Sequence, residues 1–138
     1  MPEERRRRPG DIIALMRIFR VIVPVSNIEA AVNFYSQLLA MPGERVSNGR
    51  HYFNCDGVIL ACFDPRADGD DFDAKPNPDH IYISTGDLES VFERAKSLGH
   101  ASSEVKTQPW GERSFYITDP FGNPLCFVDS KTEFLGTQ

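Results

Sequence analysis

"RVIVPVSNIEAAVNFY" (residues 20–35) and "HIYISTGDLESVFERA" (residues 80–95), offset by 60 positions (80 − 20), decide how this chain folds. Each opens as a β-rich run, reaches an N-cap candidate, Asn27 or Asp87, and continues with helical periodicity. Glu29 and Glu89 fall in the first helical turns, where the helix dipole favours a carboxylate. Ile28, Ala31, Tyr35 and Leu38 make one apolar stripe; Leu88, Val91, Ala95 and Leu98 make the other. The first helix is expected to stop ahead of Pro42 and the second at Gly99.

Three short β segments follow each helix: "GERVS", "RHYFN" and "VILACFD", then "ASSEV", "RSFYIT" and "PLCFVD". The final hairpins align through Gly57 and Gly122, an offset of 65 (122 − 57), so the second copy holds five extra residues, expected around "KTQPWGE". An internal repeat of this size is one supersecondary unit used twice. The expected fold is α+β: two tandem βαβββ modules forming a curved mixed sheet around a cavity, helices on the outer face. Module one spans 16–63 and module two 80–129. Between them "DPRADGDDFDAKPNPD" (64–79) reads as a polar linker. A calcium loop is rejected there: counted from Asp68, Phe72 and Asp73 occupy a ligand position and the glycine position. Residues 1–15 and 130–138 read as tails.

With 138 residues, a net charge of −5 and 41% hydrophobic residues, the chain fits one ordinary domain and disfavours nucleic-acid partners. The run Arg5–Arg8 reads as a flexible, solvated tail. No stretch approaches the ~18 apolar residues of a membrane span. Cys55, Cys62 and Cys126 show no zinc or redox spacing, and the odd count argues against a disulfide framework. A cytoplasmic protein without membrane association is expected.

The segments "VPVSNIEAAVNFY" and "DPFGNPLCFVD", with the repeat, resemble the vicinal oxygen chelate superfamily of glyoxalase I, extradiol dioxygenases, fosfomycin-resistance enzymes and bleomycin-resistance proteins. The likeness covers roughly Met16 to Asp129. It implies four metal-ligand positions, on the first and last strand of each repeat, which here hold Arg20, Ala61, His80 and Cys126. The family's usual ligands are histidine or glutamine with glutamate; only His80 matches. Arginine is permanently cationic and alanine has no donor atom, so the usual metal chemistry is expected to be lost. The alternative is zinc on His80 and Cys126 with His51 as third ligand.

Strand side chains alternate faces, so the ligand positions also imply which residues look inward. Arg20, Ile22, His80, Tyr82, Ile59, Ala61, Phe63, Cys126 and Val128 are expected on the cavity face. The likeness to fosfomycin-resistance enzymes adds Ser114 and Tyr116, and the 65-residue offset then adds His51 and Phe53. Trp110, in the extra residues, is read as a ligand lid or an interface anchor. The plainer alternatives are an ion pair of Arg20 with the linker, core histidines at His51 and His80, and tyrosines filling a collapsed cavity. The expected function is metal-independent binding of a small organic molecule, as in the bleomycin-resistance branch. Arg20 suggests an anionic group on the ligand. The enzymatic alternative is a lyase, isomerase or dioxygenase with an altered site, using His80 or His51 as base, or a Cys126 thiolate stabilised by Arg20. A third reading is an interaction domain with a vestigial cavity. The resemblance also implies a homodimer.

Overall fold

The computed structural model describes residues 15–136. Module one runs β1 (Arg20–Pro24), α1 (Ile28–Leu38), β2 (Glu44–Ser47), β3 (Arg50–Cys55) and β4 (Val58–Phe63). Module two runs β5 (Ile81–Thr85), α2 (Leu88–Ser97), β6 (Lys106–Thr107), β7 (Arg113–Thr118) and β8 (Pro124–Asp129), closed by a 3-10 turn at Ser130–Thr132. The α+β architecture of two βαβββ units is as expected. The sheet is not continuous: it forms two four-stranded sheets, ordered β1-β4-β3-β2 and β5-β8-β7-β6. In each, the outer module strand pairs parallel to the last one, and the remaining ladders are antiparallel. "ASSEV" is not a strand. Pairing there is limited to Lys106–Thr107 and a single bridge from Ala101 to Ile117.

Local chemistry explains both helices. The Asn27 side chain accepts from Ala30 N, and the Asp87 side chain from Ser90 N, so each cap satisfies a free amide of the first turn. The Ser90 bonds lower the Asp87 pKa. Ile28, Ala31, Phe34, Tyr35 and Leu38 of α1, and Leu88, Val91, Phe92 and Ala95 of α2, are buried in one core shared by both modules. The sheets supply Val23, Phe53, Leu60, Cys62, Phe115, Ile117, Leu125 and Phe127 to it. Alternation leaves their other faces turned away from the helices. Arg94 Nε donates to Leu38 O at 3.0 Å, tying the second helix to the end of the first.

The "DPFGN" turn fastens the modules together. Asp119, only 2% exposed, accepts from four groups. Phe121 N and Asn123 N reach Oδ1 at 2.8 and 2.7 Å, while Tyr35 Oη and Asn123 Nδ2 reach Oδ2 at 2.6 and 2.9 Å. Asn123 also donates to Pro24 O of β1 at 2.7 Å and accepts from Asn77 N at 2.8 Å. Gly122 holds φ +93°, the left-handed conformation glycine adopts without strain. A buried carboxylate is tolerable only with this many donors.

Candidate ligand-binding site

Ladder register fixes which side chains share a sheet face. In module two, Tyr82 and Tyr116 both flank Cys126, and Ser84 and Ser114 both flank Val128. His80, just before β5, packs its ring 5.0 Å from Tyr116 and 6.3 Å from Tyr82. Here the structure gathers His80, Tyr82, Ser114, Tyr116 and Cys126 on the face opposite α2. In module one, Ile22 and Tyr52 flank Ala61, and Arg20 flanks Ile59. The Arg20 guanidinium lies 5.8 Å from the Tyr52 ring centroid and 5.2 Å from that of Phe19. Among the described residues no carboxylate pairs with Arg20, so the alternative of an ion pair with the linker is not seen there. The linker aspartates Asp73 and Asp68 pair instead with Arg66 and with Arg50 of β3.

His51 and Phe53 do not face this side. They pair with Cys62 and Leu60, both in the shared core, and Phe53 is fully buried against Tyr35. A Cβ on Gly43 would come within 2.7 Å of both rings, so this helix-side packing is close. His51 Nε2 is 2.9 Å from Pro42 O; a carbonyl only accepts, so Nε2 carries the proton and the buried Nδ1 is left without a partner. The error is one of register. The β3–β4 turn has two residues, Asp56 and Gly57, whereas Asp119 N bonds Asn123 O around a three-residue tip. The counterpart of Tyr116 is therefore Tyr52, 64 positions away (116 − 52), and a one-residue slip exchanges faces. The turn lengths carried that signal. His100 is half-buried; Nδ1 donates to Thr118 O at 2.9 Å and the ring packs on Phe34.

The four positions implied as metal ligands do not suit a metal. Ala61 is buried without a donor atom, and Arg20 is cationic. No group of three His, Cys, Asp or Glu side chains among the described residues is placed to hold an ion. With His51 on the opposite face, the zinc set of His80, Cys126 and His51 does not converge. Cys126, the candidate thiolate, is buried on this face. Burial raises its pKa, a hydrogen bond to Ser114 opposes that rise, and the Glu112 charge adds to it. Burial likewise raises the Tyr116 pKa, with the neighbouring Cys126 next in effect.

A pocket of about 440 Å³ opens on the module-two face, lined by Tyr82, Ser84, Trp110, Val128, Phe134 and Leu135 together with Glu112 and Glu133. Trp110 Nε1 donates to Glu112 Oε1 at 2.9 Å. The C-terminal residues were missed as site residues; exposed apolar side chains beyond the last strand were the available sign. A wider groove of about 750 Å³ separates β1 and β4 from β5, with Val21, Ile59, Tyr82 and Ser84 among its walls.

Two βαβββ modules locked by a buried Asp119 clasp, each offering an open sheet face, define a paired-module fold of the glyoxalase type. The chain belongs to the Glyoxalase/Bleomycin resistance protein/Dioxygenase superfamily, whose family model matches residues 17–127. No curated relative matches it. Among solved structures it is similar to a glyoxalase-related enzyme from Fulvimarina pelagi, with TM-score 0.71 and 15% identity, covering 89% of this chain and 94% of the other. It is also similar to lactoylglutathione lyase from Agrobacterium tumefaciens, with TM-score 0.65 and 20% identity over 88% and 97% of the two chains. TioX from Micromonospora sp. ML1 superposes with TM-score 0.63 at 13% identity, over 83% and 99%. At such identities the likeness extends to the fold alone.

Proposed function

We propose that this protein binds a small organic molecule without a metal, on the aromatic face of module two. The observation that carries the reading is the apolar pocket between Tyr82, Trp110, Val128 and Phe134. Apolar walls with a few polar groups are the usual makeup of a small-molecule site. The anionic ligand suggested by Arg20 is not favoured at this pocket: Arg20 lies over Tyr52, and the charged residues lining the pocket are Glu112 and Glu133. A planar, mainly apolar ligand fits better. Chelator-treated protein should bind such a compound in calorimetric titration, and Tyr82→Ala should weaken binding at least tenfold. Binding that appears only after a divalent metal is added overturns the proposal.

A second reading is enzymatic, and one observation favours it. His80 is exposed on the same face, beside Tyr116 and Tyr82, where it can act as a general base. Turnover of a bound compound that disappears in His80→Ala would establish that reading. A cytoplasmic homodimer forms part of the proposal by resemblance, and sedimentation would test the assembly. Among the described residues, no helix is long and apolar enough to cross a membrane.

A further inference from the structure

Part of the lining of the module-two pocket comes from the C-terminal residues Glu133, Phe134 and Leu135. The 3-10 turn is firmly anchored, because Thr132 Oγ1 donates to Asp129 O at 2.8 Å and accepts from Arg113 N at 3.0 Å. Beyond Thr132, two hydrogen bonds among the described residues hold the segment to the rest of the domain. Ser84 Oγ donates to a Glu133 carboxylate oxygen, and Phe134 N donates to Glu112 Oε2 at 2.9 Å. The other Glu112 oxygen accepts from Trp110 Nε1. One carboxylate therefore joins the loop carrying Trp110 to the segment carrying Phe134. Phe134 and Leu135 line the pocket yet remain 39% and 81% exposed, outside the shared core. All three fasteners are exposed to solvent, where water replaces a hydrogen bond at little net cost. Few buried contacts and exposed bonds mark a segment that opens locally.

We propose that residues 133–136 form a strap, latched by Glu112, that covers part of the module-two face beside Tyr82 and Val128 and swings aside when a ligand enters. The inference rests on that pocket being the binding site. A closed strap reduces apparent affinity by the fraction of molecules that are open, so removing it tightens binding by the inverse of that fraction. Glu112→Gln keeps the shape of the latch but has one accepting oxygen for two donors, so it should loosen the strap without deleting it.

The test uses Nile red, a neutral apolar dye, with four proteins: the full chain, Glu112→Gln, a chain ending at Thr132, and that shortened chain carrying Glu112→Gln. Expected are a severalfold tighter Kd in Glu112→Gln, about a tenfold tighter Kd in the shortened chain, and no further gain in the combination. Acrylamide quenching of Trp110 emission, read without dye, should rise in the same order. Phe134→Ser in the full chain replaces the shortened form if circular dichroism shows that it does not fold. Unchanged or weaker dye binding on shortening makes the segment a wall of the site and overturns the strap. If no protein binds dye, the site reading fails on its own, and quenching decides the strap: a rise on shortening supports it, unchanged quenching overturns it.

Discussion

The Tyr35 hydroxyl donates to Asp119 Oδ2 at 2.6 Å, joining residues 84 positions apart. It links the first helix to the last turn, hence one module to the other. Asn123, which bonds Asp119 and Pro24 O at once, closes the same clasp.

Tyr35→Phe removes one of Asp119's four donors and leaves a buried acceptor short of a partner. Destabilisation of about 1–3 kcal/mol is expected. Urea unfolding at neutral pH checks it; a loss under about 0.5 kcal/mol would show that the clasp hardly matters to stability.

Alkaline pH should attack the same region. Burial, then the Asp119 charge, raises the Tyr35 pKa well above its ordinary value and pushes Cys62 from 9.0 up to about 12. Groups whose pKa is raised on folding contribute stability below the unfolded value and lose it as pH rises through the folded one. Stability should therefore decline from about pH 9 toward pH 12, through the Cys62 window. Cys62→Ala should flatten that decline, as read by thermal unfolding across the pH range.

The register of β3 makes opposite predictions for neighbours. Phe53→Ala opens the shared core and should cost about 3–5 kcal/mol. Tyr52→Ala, on the open face, should cost less than about 1 kcal/mol. Equal losses in denaturant melts would contradict the assigned faces.

Metal content follows from Arg20, Ala61, His80 and Cys126. Protein dialysed without chelator should carry far less than one equivalent of zinc, nickel, manganese or iron per chain. Elemental analysis showing stoichiometric metal, lost in His80→Ala, would defeat the metal-free proposal.

Trp110 should report ligand occupancy, because its indole lines the pocket. Titration with planar aromatic compounds should shift its emission for at least one binder. A calorimetrically proven binder that leaves the emission unchanged would place the site elsewhere.

The two "β-strand, N-cap, amphipathic helix" segments determined the architecture from sequence alone, because helix stripes and caps are local and repeat at a fixed offset. Faces within module two were legible once the family resemblance supplied reference positions on its strands, because alternation extends each along its strand. What sequence could not settle was set by long-range packing. A turn shorter by one residue moved His51 and Phe53 to the helix side and brought Tyr52 beside Arg20. Asp119 reads as a turn residue, yet its main partners lie in the first helix and the turn's own Asn123. The residues after Thr132 carry no periodic signal; only the apolar pocket above β5 and β8 gave Phe134 and Leu135 a place. Such contacts depend on which surfaces the folded sheets leave open, and that is decided in three dimensions.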